Sequence, residues 1–555
     1  MEFMKNKRGI ILLGVLLAML LSALDQTIVA TAMPQIVREM NGLSQLSWVF
    51  TAYMLASTVT IPIYGKLSDM FGRRGLFMTG VAIFLFGSIL SGIAQNMTQL
   101  IFFRGLQGIG AGAIMVNSFA IIGELYSPAE RGKWQGIMGG VFGLATIVGP
   151  LLGGWLTDNF SWRWVFYVNI PIGIIAIAIL AAAMPKIVHD VKGRSVDFAG
   201  AILITAGLVP VLLAFVWAGS RYPWGSWQVI SLLCFGAAAL LAFGLVERKA
   251  HEPVLSLDLF KNKVFAISAA TVFLTSMGMF GAIVYITVFA QGVIGVSATN
   301  SGFILMPMML GLMFSSTISG QIVSRTGKYK ILTVTGVTVV MVGMLLFSRL
   351  SVNTTQAELS WRMVLLGLGL GVTMPVFMIA VQSAFSIERL GEVTAGTQLF
   401  RNVGGTMGAA VLGGIMNSQL ASRFTNLGND PFVAAIKKLN PNVALGKLDA
   451  NSIQGLLSAT GQSQVRGMLA QAPPALRSQL TSSFDSFLNN IKVAFSNSLD
   501  YVFVVGAVLM AVAVVVVLFL PEIELRRSNR RAAVEGTVKP AATPLQSSAQ
   551  QRPEI

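Results

Sequence analysis

Few side chains in this sequence can do chemistry, and their placement narrows what that chemistry is. Among 555 residues there is one cysteine, Cys234, inside an apolar stretch, and two histidines, His189 and His251, in polar segments. That excludes an intrachain disulfide and a Cys-based metal centre and leaves His-based chemistry little to work with, so no metal ligand set and no cofactor is expected. The run Gly108-Ile-Gly110-Ala-Gly112 continues a helical pattern instead of following a strand, and no Gly-x-x-x-x-Gly-Lys-Ser/Thr occurs. Nothing therefore points to nucleotide-driven work. One carboxylate stands apart. Of the 23 acidic residues, Asp25 alone lies deep within a long apolar run, where a charge is costly and marks an ion or proton path. Arg104 lies a few residues inside another such run, and at about 1.5 Å of rise per residue the two could sit at similar depth. Burial favours a neutral acid and a nearby guanidinium favours the carboxylate, so the pair could exchange a proton as hydration or ligand changes. The alternative is a static ion pair that only fixes helix packing.

Three softer groups follow. Gly65, Asp69, Gly72, Arg73, Arg74, Glu124 and Arg131 fall at the ends of apolar runs, where their charges could form a network that closes the cytoplasmic mouth. In Gly139-Gly140-Val-Phe-Gly143-Leu-Ala-Thr-Ile-Val-Gly149-Pro150-Leu-Leu-Gly153-Gly154 the small residues allow close helix approach, and the proline bends its helix. Trp48, Tyr53, Met54, Asn117, Phe280, Tyr285, Met306, Met308 and Gln382 could line a greasy, adaptable cavity.

Only a membrane can position these residues. Apolar residues make up 54% of the chain and charged residues 11%, against about a quarter charged in soluble domains. Stretches of roughly 20 apolar residues, enough to cross about 30 Å of hydrocarbon, recur from Gly9 almost to Pro521. The spans expected are 10–33, 47–65, 76–95, 99–124, 136–157, 164–184, 199–218, 227–246, 265–291, 301–323, 331–349, 363–385, 394–418 and 499–520, all helices and none of them barrel strands. The first follows Lys5, Lys7 and Arg8 and runs into a polar, Pro-containing segment without a small-residue cleavage site, so it reads as a retained helix. A net charge of +16 would suit nucleic acid in a soluble protein. Here Lys and Arg crowd alternate short loops, from Arg73 and Arg74 through Arg325, Lys328 and Lys330 to the run from Arg526 to Arg531, while the intervening loops carry few. Positive charge stays inside, so both termini are expected in the cytoplasm, and the partner is a lipid bilayer and not nucleic acid. By this topology 421–498 is an outer loop with short amphipathic helices, and 526–555 is a disordered cytoplasmic tail.

The chain also repeats itself. Gly65-Lys-Leu-Ser-Asp69-Met-Phe-Gly72-Arg73-Arg74 returns 255 positions later as Gly320-Gln-Ile-Val-Ser-Arg-Thr-Gly327-Lys328-Tyr, with the glycines and one basic position in common. A repeat that relates the second span to the tenth implies an all-α membrane fold of two six-helix lobes, 1–190 and 263–525, with two further helices inserted in a linker, 191–262. Such lobes rock about a site near the midplane.

Together these motifs resemble the major facilitator superfamily, and within it the fourteen-helix drug:proton antiporters. The segment Gly65 to Arg74 is similar to the superfamily's Gly-x-Leu-Ala-Asp-x-x-Gly-Arg-Lys signature, with Ser68 in place of Ala. Leu100-x-x-x-Arg104-x-x-Gln107-Gly108 resembles its helix 4 motif, and Gly140 to Gly154 the antiporter motif of exporters. Leu24-Asp25-Gln26-Thr27-Ile28-Val29 with Met33-Pro34, and Trp162-Arg163-Trp164-x-Phe166-x-x-Asn169-x-Pro171-x-Gly173, resemble signatures of the fourteen-helix branch. The resemblance runs from about 10 to 520 and implies a non-enzymatic exporter in the bacterial inner membrane. It would move amphipathic, often cationic small molecules in exchange for protons, with Asp25 as proton or cation carrier and Arg104 as its partner, as a monomer with or without an adaptor protein. The alternatives are an exporter dedicated to one natural product, lipid or metabolite, and a non-transporting sensor or assembly subunit.

Overall fold

The computed structural model describes residues 2–40, 45–185, 196–219, 221–294, 298–424, 430–434, 459–471 and 474–523, and among these there is no strand beyond an isolated bridge between Ala218 and Tyr222. The helices are α1 (Glu2–Met40), α2 (Leu46–Phe71), α3 (Arg73–Ile93), α4 (Met97–Leu125), α5 (Pro128–Asn159), α6 (Trp164–Tyr167), α7 (Asn169–Ala183), α8 (Phe198–Trp217), α9 (Trp227–Glu247), α10 (Lys263–Phe289), α11 (Ala298–Thr326), α12 (Lys330–Phe347), α13 (Gln356–Ser383), α14 (Leu390–Phe424), α15 (Ala459–Ala470) and α16 (Pro474–Leu518). With α6 and α7 counted as one broken span, and α15 set aside, fourteen spanning helices result.

Polar residues at the ends explain why the helices begin where they do. Asn96, Asp197, Ser226 and Thr355 each accept a hydrogen bond from a first-turn backbone N–H, which satisfies donors that a helix start leaves unpaired. At the start of α5 the Glu130 carboxylate accepts from both the backbone N–H and the hydroxyl of Ser127. Several helices outrun the apolar stretches that announce them. The last span, expected at 499–520, begins at Pro474 and is 45 residues long, so the C-terminal part of the expected outer loop is an extension of that helix. Hydropathy registers only the hydrocarbon layer, whereas a helix continues through the interface. The rest of that loop is described only at 430–434 and 459–471, and the expected tail lies outside the described residues.

Thirteen of the spans are long and apolar enough to cross a membrane by composition alone; α14 is the exception. It carries Glu392, Gln398, Arg401, Asn402 and a series of glycines, and it packs against α2, α4, α8, α10, α13 and α16. Polar residues are tolerated within a membrane where neighbouring helices screen them from lipid.

The helices form two groups. In the first, α4 packs against α2 and α3, and α1 against α5 and α7; in the second, α13 packs against α11 and α12, and α16 against α10 and α12. Each has its own apolar core, around Val15, Phe84, Ile114 and Leu180 in one and Phe347, Leu366, Phe503 and Met510 in the other. The inserted pair α8 and α9 packs on itself and touches α2 and α14 through α8. The groups meet along two seams, α2 with α14 and α5 with α11. The paired glycines of the repeat sit at these seams. A Cβ on Gly65 would lie 2.3 Å from Ala395 Cβ and 2.8 Å from the Gly391 carbonyl oxygen, and one on Gly320 would lie 2.1 Å from that of Gly132. Seven residues on from each, Gly72 and Gly327 end their helices with φ of 89° and 71°, a backbone region that glycine alone enters freely.

Candidate functional site

Asp25 and Arg104 meet. Both side chains are sealed inside the first group of helices, at 0% and 1% exposure, and Arg104 Nη1 donates to Asp25 Oδ2 at 2.5 Å. The other carboxylate oxygen accepts from Gln107 Nε2 at 2.8 Å and Asn169 Nδ2 at 3.0 Å. Ser88 Oγ closes the network: it accepts from both amides and donates to the Phe166 carbonyl. One charge pair thus ties α1 and α4 together, with α3 and α7 bound in through Ser88 and Asn169. Tyr53 of α2 lies beneath, its ring 4.3 Å from the Arg104 guanidinium carbon and its hydroxyl 3.2 Å from Ser22 Oγ. A charge in this setting is stable because donors replace water on every side. Gln107 and Asn169 stand in two of the motif segments quoted above, yet their spacing gives no sign that they converge on Asp25.

The charged residues expected at the cytoplasmic mouth divide into three tasks. Arg73 binds Asp69 at 2.8 Å and pairs with Glu124 through Nε. Asp69 reaches across the first seam and accepts the backbone N–H groups of Gly391 and Glu392 at 2.9 and 2.8 Å, so it caps the start of α14, where an anion is favoured. The other two arginines stand outside this cluster. Arg74 donates to the Ala181 carbonyl at the end of α7. Arg131, expected in a charge network, instead donates to the carbonyls of Gly123, Tyr126 and Gln382, because the ends of α4 and α13 present unpaired carbonyls to it. The linker joins at the same end: Lys66 pairs with Glu252, and Glu392 accepts the Ser256 N–H at 2.7 Å. In this conformation the end bearing the Gly65 to Arg74 loop is closed.

The glycine run of α5 faces two ways. A Cβ on Gly149 or Gly153 would lie 2.0 or 2.2 Å from the hydroxyl oxygens of Thr27 and Thr31 on α1, whereas one on Gly143 would meet Met309 of α11 at ordinary contact distance and one on Gly154 nothing. Thr27 also donates to the Ala145 carbonyl at 2.9 Å. Pro150 sits inside this helix, which runs unbroken to Asn159. The motif therefore fixes α5 directly to the helix that carries Asp25.

Two cavities lie along the interface between the groups, both lined by α10 and α14. The outer one, of about 430 Å³, is lined by Met54, Phe280 and Tyr285 among others. The inner one, of about 70 Å³, is lined by Phe119, Gln135, Thr275, Met378, Gln398 and Arg401 among others. The remaining expected lining residues stand elsewhere. Trp48 meets Trp217 edge-on; Asn117 is buried and donates to Ala113 O within α4; Met308 is in the second core; Met306 lines neither cavity. Gln382 lies in the closed seam, where its amide donates to the Phe119 carbonyl and Thr394 Oγ1. Arg401 is a cavity residue outside the expected set, although the cost that singles out Asp25 applies equally to a guanidinium inside span 394–418.

Known proteins share this architecture. Residues 15–409 match the model of the Major Facilitator Superfamily. The chain is 39% identical to the Multidrug transporter protein MdtP of Bacillus subtilis, over 98% of each, and 37% identical to Multidrug resistance protein 3 of the same organism, over 92% of this chain and 94% of that protein. Among solved structures, the proton:xylose symporter XylE superposes with a TM-score of 0.55 at 13% identity, over 93% of this chain and 97% of that one. That likeness concerns the fold. With the matching family model and relatives along its whole length, this chain belongs to the major facilitator superfamily and is a multi-pass membrane transporter, not an enzyme.

Proposed function

We propose that the chain is a proton-coupled multidrug exporter that moves amphipathic small molecules out of the cytoplasm across a bacterial inner membrane by alternating access. The relatives named as multidrug transporters support the substrate class, and the antiporter-like run on α5 supports export. Both termini and the closed end then face the cytoplasm, in keeping with the loop charges. The observation that carries the coupling is the Asp25 cluster: a sealed carboxylate with an ionic partner and, in Asn169, an amide that can turn over.

When ionised, Asp25 accepts from three donors. When protonated it has a donor of its own to place, and an acceptor stands beside it in Asn169 Oδ1, which is buried without a partner. Turning that amide presents oxygen to the new O–H, and the neutral acid no longer holds Arg104. Loss of the charge pair frees α1 from α4, and α1 is packed on α5, which forms the second seam. Proton loading is in this way linked to the contact that must part for the cytoplasmic side to open.

The test is Asp25→Asn in proteoliposomes under an imposed proton gradient. Substrate binding should persist, while uphill export and substrate-induced proton release are lost. Uphill export by Asp25→Asn would mean that the carrier is another acid, with Glu124 or Glu392 next in line.

A further inference from the structure

Among the described residues Arg401 is a charge without a counter-charge. It is the twelfth residue of α14, about 16 Å from the start of that helix at the usual rise, and so well inside the hydrocarbon layer. Its side chain borders the inner cavity, and among the described residues it makes no hydrogen bond, ion pair or ring contact. A guanidinium keeps its charge in any protein environment, and an isolated charge at this depth is expensive. The second group of helices nevertheless places it with care. Thr397, Arg401, Gly404 and Gly408 follow one stripe of α14, and Gly404 and Gly408 press against the α10 backbone, so that a Cβ on either would fall within 2.4 Å of a carbonyl oxygen there. One turn further toward the start of α14 the contact gives way to the cavity.

The cavity wall holds further unmet polar groups. Gln398 Nε2, Thr275 Oγ1 and Gln135 Oε1 are buried with no partner, on side chains exposed by 1%, 6% and 3%. The first two can donate and stand on the same cavity as Arg401. Among the described residues no carboxylate lines either cavity. Asp25, the one deep acid among them, is turned inward and already neutralised by Arg104. A cationic ligand would find repulsion here and no anion to offset it; an acidic ligand would find a guanidinium and two idle donors.

We propose that the inner cavity is a recognition site for an acidic group, a carboxylate or sulfonate carried on an aromatic, amphipathic substrate, and that Arg401 is its counter-charge. This rests on reading the interface between the lobes as the substrate path. The inner cavity takes the head group, beside Arg401 and the two idle donors. The aromatic body lies along α14 toward the outer cavity, which begins at Gly405, about 6 Å further along the helix. The substrate class so defined differs from the cations that the family resemblance implies.

Two probes share one ring system and differ in the acid: 8-anilino-1-naphthalenesulfonate and the neutral N-phenyl-1-naphthylamine. Their affinities are measured by titration calorimetry on the purified full-length protein in nanodiscs, with empty nanodiscs subtracted. Wild type should bind the sulfonate about tenfold to a hundredfold more tightly, the range for a charged hydrogen-bonded pair. Arg401→Gln should abolish that preference and leave the neutral probe unchanged, and Arg401→Lys should keep part of it. Since Arg401 has no partner to lose, Arg401→Gln should also unfold at no lower temperature than wild type. Equal affinities in wild type, a preference that survives Arg401→Gln, or destabilisation by Arg401→Gln that Arg401→Lys repairs would each overturn the proposal. Export is scored separately: if wild type shows the charge preference but moves neither probe uphill under a proton gradient, the exporter reading fails and the acid site stands.

Discussion

The Asp25–Arg104 pair can be a proton device or a structural rivet, and double substitution separates the two. Removing one member of a buried pair strands the other, a loss of about 3–5 kcal/mol. Asp25→Asn should therefore lower thermal stability, as should Arg104→Gln alone. Asp25→Asn with Arg104→Gln should recover most of that stability, because two neutral amides can hydrogen-bond to each other and to Gln107. If the pair only fixes packing, the double variant regains uphill transport along with stability; the proton reading expects stability to return and coupling to stay lost. Thermal unfolding and proteoliposome export on the same four proteins decide it. At this scale the sequence was partly legible. A carboxylate deep in an apolar run is conspicuous because hydrocarbon penalises charge wherever the chain leads next. Gln107, Asn169 and Ser88 carry no such penalty, and their convergence on Asp25 appears only when α3, α4 and α7 are packed around α1.

Among elements, the two seams respond differently to substitution. At the α2 and α14 seam Asp69 accepts two backbone N–H groups from the start of α14. Asn offers a single oxygen and would turn N–H donors toward N–H donors. Asp69→Asn should thus weaken the closed state and slow turnover of every substrate by a similar factor, with affinities little changed, since the residue lines neither cavity. A defect confined to one substrate in a multi-drug efflux assay would contradict this. At the α5 and α11 seam the repeat offers Ser324 where Asp69 stands, and closure relies on backbone contact between Gly132 and Gly320. Gly320→Val should hold this seam apart at a cost of about 1–3 kcal/mol to the closed state. A cysteine placed at Gln135, buried when the seam is shut, should then react with an impermeant thiol reagent roughly tenfold faster or more from the loop side in a Cys234→Ser background. An unchanged rate would show that the contact does not gate access.

For the whole molecule the loop charges imply an orientation that the helix packing alone does not set. Ser463 on α15 and Lys328 between α11 and α12 are both exposed and lie on opposite sides if fourteen spans are threaded in turn. In a Cys234→Ser background, Ser463→Cys should be labelled by an impermeant reagent added to whole cells, and Lys328→Cys only after the membrane is opened. Equal labelling in intact cells would refute the topology. Inversion of the pattern would place the closed end outside and turn an exporter into an importer.

Several features follow from the sequence by itself. Composition demands a membrane; apolar stretches mark the spanning helices; the recurrence of Gly65–Gly72 as Gly320–Gly327 points to two related halves. All of these depend on solvent and local geometry, which act on a segment whatever its neighbours are. Other features depend on which surfaces end up facing each other, and only the tertiary structure decides them. Arg131 turns to carbonyls because the ends of α4 and α13 leave them open nearby. Gln382 is drawn into the closed seam and away from the cavities. Arg401 is left alone because, among the described residues, the helices around it bring no carboxylate to its side. A charge announces its cost in the sequence, but whether that cost is met by a neighbour or awaits a ligand is a property of the space around it.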